Sequence, residues 1–204
     1  NIGTLTKARE IDILKIAKTA NQIGTPIVFD PVAVGASQYR KDFCATFLKE
    51  IDVAVIKGNA SELLALMDAD TTMKGTDSDQ DLDAITIAKN AYKQFDTAIA
   101  ITGETDIVIQ DNKMYKLSNG SPLLAKVTGA GCLLGAVIAS FLNQDKKVTV
   151  DRLIDAISIY NIASEQAEQN SKNNGPGSFM IELLNALYHI QYDDYLTLSN
   201  RQEV

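Results

Sequence analysis

Cysteine and histidine are scarce in this chain, which has two cysteines and one histidine among its 204 residues. Cys44 and Cys132 do not form a Cys-x-x-Cys pair, and His189 lies far from Cys132 along the chain. Neither a disulfide scaffold nor a metal site built from histidine and cysteine is therefore expected. Cysteines that stay reduced fit a cytoplasmic protein, and this is the location that we predict.

Long apolar runs and an excess of positive charge are also missing. The longest apolar run extends from Cys132 to Leu142, well short of the roughly 20 residues that a membrane-spanning helix needs. The 19 lysines and arginines against 26 aspartates and glutamates give a net charge of -7, which disfavours nucleic acid and anionic membrane surfaces as partners. We therefore predict small-molecule partners, with no nucleic acid and no membrane.

The rest of the composition is that of an ordinary globular protein. Hydrophobic residues make up 46% of the chain and charged residues 22%, which excludes general disorder. We expect one domain over 1–204, because α/β folds commonly reach roughly 200 residues as a single unit. The sequence begins at Asn1 without a methionine, and we interpret Asn1 as the frayed end of a strand cut from something longer.

Short apolar runs alternate with helical patterns along the chain and predict a layered α/β fold. Buried strands are predicted over 26–29, 52–56 and 97–101, and two edge strands over 106–110 and 114–117 form a hairpin. Helices are predicted over 5–23, 40–48, 84–94, 132–142, 149–169 and 179–190, with another from near Ser61 and a polar loop over 73–79. Short connections between alternating strands and helices favour a mainly parallel sheet with helices on both faces.

The stretch from Val127 to Cys132 leads directly into the most apolar helix and predicts an anion-binding loop. Gly129 and Gly131 allow the backbone to approach a ligand closely, because glycine has no Cβ. The first turn of a helix offers N–H groups without partners and a partial positive charge, so the amides of Ala130, Gly131 and Cys132 are candidates for an anion hole. The alternative is a simple turn before a buried helix, because a short Gly-x-Gly is a weak motif.

Two carboxylates follow predicted strands and predict a magnesium site. Asp30 comes directly after the first buried strand, and Glu62 lies three residues after Asn59 at the start of a helix. Oxygen ligands in small number suit Mg²⁺, whose coordination is usually completed by waters and substrate phosphates. The alternatives are a helix cap for Glu62 together with Ser61, and a turn before Pro31 for Asp30.

Lys57 and Cys132 are the other two candidates for chemistry. Lys57 follows the second buried strand, where it either balances phosphate charge or is a solvated strand-end cation. A thiolate is stabilised at a helix N-terminus, so Cys132 is a candidate base or nucleophile; the alternative is a small apolar residue at a helix start. A Cys-His acyl-transfer pair has little support, because His189 belongs to a terminal helix and is expected at the surface or in packing.

Four segments together resemble the hydroxyethylthiazole kinase family of the ribokinase-like superfamily, and the match covers essentially the whole chain. They are Phe29–Val32, Lys57–Glu62, Ile101–Gly103 and Val127–Cys132. The resemblance implies a three-layer ribokinase-like fold. It also implies phosphorylation, dependent on ATP and Mg²⁺, of the primary alcohol of 5-(2-hydroxyethyl)-4-methylthiazole in thiamin biosynthesis or salvage, by a homotrimer with its sites at subunit interfaces.

The resemblance also implies roles for individual residues. Lys57 and Thr102 match positions that bind ATP, Gly129 matches a substrate contact, and Cys132 matches the position of the base, where related sugar kinases have aspartate. In the family a further segment precedes the position of Asn1 and includes the opening strand and a methionine that contacts the thiazole. We expect that the present sequence starts after that segment.

Three alternative functions remain open from the sequence. Two belong to the same fold, namely a related small-alcohol kinase and a nucleotide-dependent repair dehydratase, and the cysteine at position 132 argues against both. The third is a nucleotide-binding oligomerisation module without catalysis. Turnover of ATP with small alcohols separates the kinases from such a module.

Overall fold

The computed structural model describes residues 1–67, 80–142, 147–172 and 174–204. Its helices are α1 (Lys7–Gln22), α2 (Gln38–Glu50), α3 (Ala60–Leu66), α4 (Gln80–Phe95), α5 (Ala130–Leu142), α6 (Val150–Asn170), α7 (Pro176–His189) and α8 (Tyr192–Leu198). Its strands are β1 (Val28–Phe29), β2 (Val55–Asn59), β3 (Ala98–Thr102), β4 (Asp106–Gln110), β5 (Lys113–Leu117) and β6 (Arg201–Glu203). Short 3-10 helices span Val34–Ala36 and Pro122–Lys126. The polar loop predicted over 73–79 lies outside the described residues.

The strands of the described ranges form one six-stranded sheet in the order β1-β2-β3-β4-β5-β6. β1, β2 and β3 pair in parallel, and β4, β5 and β6 extend the sheet through antiparallel pairs. Four strands, β1, β2, β3 and β5, therefore run in the same direction. The carboxyl ends of the three parallel strands lie at one edge, which is where open α/β sheets hold their sites.

Helices cover both faces of the sheet, as predicted. Along β3, Ile99 and Ile101 belong to one buried cluster, whereas Ala98 and Ala100 belong to the other, because successive side chains of a strand point to opposite faces. The first cluster includes residues of α1, α2, α3 and α4, and the second includes residues of α5, α6 and α7. The three-layer α/β arrangement is thus confirmed.

The hairpin is confirmed, but its predicted place at the edge of the sheet is wrong. Asp111 and Asn112 form its two-residue turn at φ 53° and 57°, the left-handed conformation that suits tight hairpins. β6 pairs with β5 on the far side, with Tyr115 opposite Glu203. The three residues of β6 are polar or charged and exposed, so this strand has no apolar pattern by which sequence reasoning could have found it.

The predicted helices are present with shifted ends, and α8 was not predicted. α1 begins after the N-cap Thr6, whose side chain accepts a hydrogen bond from the Arg9 amide. α5 begins at Ala130, two residues before the predicted start, and α7 begins at Pro176. In the described part of the chain no helix is both long and apolar enough to span a membrane.

Candidate active site

The predicted anion hole lies at the start of α5. Gly129 has φ 94°, a backbone conformation that L-residues rarely adopt, and it turns the chain into the helix. The Ala130 amide donates to the Val127 carbonyl at 3.3 Å. Among the described residues, the amides of Gly131 and Cys132 have no hydrogen-bond partner. These two amides are therefore the donors that an anion can reach.

Lys57 connects β2 to this loop; it is the third of the five residues of β2 and is buried, so the predicted strand over 52–56 ended too early and the solvated strand-end alternative is wrong. Its Nζ lies 3.2 Å from Asp30 Oδ2 and donates to the Gly131 carbonyl at 2.9 Å. The side chains of Lys57 and Asp30 are 5% and 4% exposed. A Cβ at position 131 would lie 3.4 Å from Lys57 Nζ, so the lysine packs directly against this glycine. The fold thus brings Asp30, Lys57 and the glycine loop together at the carboxyl edge of the sheet.

One carboxylate oxygen of Asp30 has no hydrogen-bond partner among the described residues. Oδ2 accepts from Lys57 and from Asn1 Nδ2 at 2.9 Å, whereas the buried Oδ1 lacks a hydrogen-bond partner in the part of the chain that is described. Leaving a buried carboxylate oxygen unpaired is costly. This oxygen is suited to a cation or a water, and its chemistry fits the hard-oxygen preference of Mg²⁺.

Glu62 is part of a capping box, so its capping alternative is confirmed, with Asn59 rather than Ser61 as the N-cap. The Asn59 side chain accepts from the Glu62 amide at 2.9 Å, and Glu62 Oε2 accepts from the Asn59 amide at 2.9 Å. Glu62 Oε1 also accepts from the Ala33 amide at 2.9 Å. Each carboxylate oxygen keeps a further lone pair, and the side chain is half-buried, so capping and cation binding are compatible.

The described residues contain no cluster of three or more potential metal-binding side chains of the Asp, Glu, His or Cys type. A cation held by Asp30 and Glu62 would therefore take its remaining ligands from water and from substrate. This pattern is the usual one for Mg²⁺ beside phosphates.

Arg40 was not singled out from the sequence, although it holds the loop that follows Asp30. Its guanidinium donates to the carbonyls of Ala33, at 3.0 Å, and of Ile2 and Val32. These carbonyls belong to the chain start and to the segment between β1 and α2. Arginine at a predicted helix start carries no motif, so no sequence signal indicates this role.

The turn after β3, next to the predicted ATP contact Thr102, is held by two buried residues that sequence reasoning missed, Asp106 and Asn161. Thr102 is the last residue of β3, half-buried, and lies in register with Asn59. Asp106 Oδ1 accepts from the Gly103 amide at 2.9 Å, and Asp106 Oδ2 accepts from Asn161 Nδ2 at 2.7 Å. Burial raises the pKa of Asp106 to about 6, although the hydrogen bonds from Asn161 and Gly103 and the charge of Lys57 oppose the rise.

The raised pKa of Asp106 predicts a pH dependence of stability. Because its folded-state pKa lies above the reference value of 3.8, the folded state binds the proton more tightly, and this group's contribution falls as the pH rises from about 4 through about 6. We expect it to lower the free energy of unfolding by about 2 kcal/mol between pH 4 and pH 7. Urea denaturation of the wild type and Asp106→Asn at both pH values measures this, since other groups cancel in the comparison. Equal pH dependence in the two proteins would contradict it.

Cys132 is exposed in the first turn of α5. A residue of α6 holds the start of that helix in place. The buried Tyr160 hydroxyl, on α6, donates to the Ala130 carbonyl at 2.7 Å. Burial and the neighbouring Cys132 both raise the pKa of Tyr160, which keeps this hydroxyl a donor.

His189 is exposed at the end of α7 and contacts the Tyr188 ring edge-on, in agreement with a surface role.

The architecture of the chain indicates its superfamily. The three-layer fold is that of the ribokinase-like superfamily. A crystal structure of a ribokinase-like superfamily protein from Enterococcus faecalis matches 90% of this chain and 59% of its own, with a TM-score of 0.62 at 14% identity. At that identity the likeness shows the fold alone.

The family follows from closer relatives. The model of the hydroxyethylthiazole kinase family matches residues 1–193, and the chain belongs to this family. The curated hydroxyethylthiazole kinase of Staphylococcus saprophyticus is 68% identical over all of this chain and 78% of its own length. The structure of a hydroxyethylthiazole kinase protein from Pyrococcus horikoshii superposes with a TM-score of 0.88 at 32% identity, covering 100% of this chain and 75% of that one.

Proposed function

We propose that this protein transfers the γ-phosphate of ATP to the primary hydroxyl of 5-(2-hydroxyethyl)-4-methylthiazole, a step of thiamin biosynthesis. The family membership supports the reaction. The observation that carries the proposal is the pair of unpartnered amides at Gly131 and Cys132 beside the buried Lys57 and Asp30. Neither the structure nor the comparisons favour a dehydratase, another alcohol kinase or a non-catalytic module.

The geometry suits phosphoryl transfer because that reaction depends mainly on positioning and on neutralising negative charge. The amides of Gly131 and Cys132 bind oxygens of the transferred phosphate at the positive end of α5. Lys57 supplies a cation directly behind that loop, and Thr102 contacts the nucleotide at the end of β3. Gly129 contacts the alcohol, the role that its position in the family's glycine loop implies.

Mg²⁺ would be held by Asp30 and Glu62. When bound, the ion would supply positive charge that neutralises part of the charge of the phosphates. The unpartnered Oδ1 of Asp30 and the free lone pairs of Glu62 support this assignment. The hydrogen bonds from Lys57 to Asp30 and from two backbone amides to Glu62 fix both carboxylates in place.

A coupled assay of phosphate transfer tests the proposed function. Purified protein with ATP and magnesium chloride is incubated with the thiazole alcohol and with a panel of other small alcohols, and the products are identified by phosphorus NMR. We expect phosphorylation of the thiazole alcohol at the highest kcat/KM. Preference for a different alcohol would contradict the substrate, and ATP binding without any turnover would contradict the reaction.

Cys132 can contribute to catalysis in two ways. Its side chain lies at the position proposed for the base, and its backbone amide is one of the two donors of the anion hole. We expect Cys132→Ser to lower kcat by less than tenfold, because the backbone amide survives the change. A loss of about 10²–10⁴-fold, the usual size of general-base help, would instead assign the thiol the role of base. Cys132→Asp should also be active, because a carboxylate is ionised at neutral pH and accepts a proton. Steady-state kinetics of both variants measure this. If both bind ATP and alcohol normally but do not turn over, Cys132 reacts covalently and the mechanism is wrong.

We also propose that the protein works as a homotrimer in the cytoplasm, where ATP is available. Large apolar side chains are exposed on α7 and α8, at Ile181, Leu184, Tyr188 and Tyr192, and such surface is typical of protein interfaces. Sedimentation equilibrium measures the oligomeric state.

A further inference from the structure

The turn after β3 is held by side chains that belong to no motif. Asp106, the first residue of β4, accepts the Gly103 amide on one oxygen and the Asn161 side-chain amide on the other. Because one oxygen accepts from the Gly103 backbone and the other from Asn161 of α6, the carboxylate of Asp106 has a fixed orientation. The position of Gly103 is thereby tied to α6 through one acidic side chain.

Asp106 and Asn161 are both buried, although the turn after β3 does not need a buried partner for its amide. Asp106 is 6% exposed and Asn161 is 3% exposed. A turn after a strand usually needs only a backbone or a solvent-exposed partner for its amide, whereas burying a carboxylate is costly even when it is hydrogen-bonded. Polar groups buried at a sheet edge that also carries Lys57 are typical of a functional region.

The turn has a direct geometric relation to the site. Thr102 precedes Gly103 and lies in register with Asn59, the residue that caps α3 and binds Glu62. Lys57, two residues before Asn59, contributes an attractive charge at Asp106. A change in the Thr102–Gly103 peptide therefore changes what the end of β3 presents to a ligand beside Lys57.

The helix that supplies Asn161 also holds two other parts of this edge. Its neighbour Tyr160 binds the Ala130 carbonyl at the start of α5. Glu165, one turn further along α6, accepts from the Gly120 amide at 2.8 Å. One helix thus sets the distance between the anion hole and the turn after β3.

We propose that Asp106 and Asn161 are positioning residues for the nucleotide, which hold the Thr102–Gly103 turn in the orientation that binds ATP. The inference rests on the proposed function, because it takes ATP as the ligand of this edge. Neither side chain contacts the nucleotide. Asp106 acts through the Gly103 amide, and Asn161 acts through Asp106.

Calorimetric titration of the whole chain with ATP and magnesium chloride tests this inference without requiring turnover. Asp106→Ala and Asn161→Ala should each raise the Kd for ATP roughly tenfold, the effect of losing one good hydrogen bond. Asp106→Asn should stay within about threefold of the wild type, because its carbonyl oxygen still accepts from Gly103 and a flipped Asn161 side chain can accept from the new amide. Ser158→Ala is the matched control, since Ser158 is buried on the same helix and its hydroxyl has no partner among the described residues.

The kinetic readout separates positioning from a purely structural role. In Asp106→Ala and Asn161→Ala, the KM for ATP should rise while the KM for the alcohol stays unchanged, and circular dichroism verifies that each variant is folded. If Asp106→Ala does not fold, Asn161→Ala carries the same test. Wild-type affinity for ATP in folded Asn161→Ala would overturn the inference. A wild type that binds ATP but does not phosphorylate the alcohol would contradict the proposed substrate alone, and a wild type that binds no ATP would overturn both proposals.

Discussion

Replacing Lys57 by methionine should abolish measurable phosphoryl transfer and lower the free energy of unfolding by about 3 to 5 kcal/mol. The change removes the cation 3.2 Å from Asp30 and the donor to the Gly131 carbonyl. Asp30 is then a buried carboxylate without its counter-charge, and the glycine loop loses the contact that fixes it. Urea denaturation and the phosphate-transfer assay measure the two losses separately.

A double variant separates the stability effect from the catalytic one. Lys57→Met combined with Asp30→Asn removes both charges, so most of the lost stability should return, because the penalty comes mainly from the unpaired charge. Activity should not return. Lys89→Met, at an exposed lysine of α4, is the control and should change stability by less than about 0.5 kcal/mol. Recovery of turnover in the double variant would show that Lys57 contributes nothing beyond balancing Asp30 and that the Asp30 carboxylate is not needed as an Mg²⁺ ligand.

Glu62→Gln should lower turnover and raise the Mg²⁺ concentration needed for half-maximal rate, each by about 10 to 100-fold, as expected for a group that holds or orients a metal ligand. The stability loss should be only about 1 kcal/mol, because the glutamine carbonyl still accepts one of the two amides that now bind the carboxylate. Mg²⁺ titrations of the initial rate, together with urea denaturation, measure both quantities.

The chain contains a matched control for this substitution. Asp194 has the same N3 position in the capping box of α8, where its carboxylate accepts from the Gln191 amide at 2.8 Å. Asp194→Asn should therefore cause a similar small stability loss without any change in the Mg²⁺ dependence. If Glu62→Gln behaves in the same way, Glu62 is a helix cap alone and the proposed metal site is wrong.

The central part of the site could be predicted because its signals are local. Asp30 and Lys57 follow short apolar runs, and Gly129 precedes an apolar helix, so each position could be assigned near a strand end or a helix start from its neighbours, although Lys57 lies within β2 and not after it. The rule that the ends of parallel strands share one edge then brings them together. The contacts of Lys57 with Asp30 and with the loop agree with that expectation.

The supporting contacts could not be predicted because they join distant single residues. Asn161 and Asp106 are 55 positions apart, and Arg40 reaches the Ile2 carbonyl across 38. A lone asparagine or arginine in a helical pattern is normally a solvated polar residue, and no periodicity distinguishes the ones that are not. The engaged amide of Ala130 depends on the dihedral angles of the glycine loop, which the residue types leave open.

The anchoring of three turns to α6 also affects how this edge fluctuates. Loops around binding sites usually open locally at low free-energy cost. Here Gly103, Gly120 and the start of α5 are tied to side chains of α6, the longest described helix. To open, each turn must break a contact that holds it to α6, directly or through Asp106. These turns therefore belong to the same cooperative unfolding unit as the core, and slow amide exchange at Gly103 and Gly120 would be its signature.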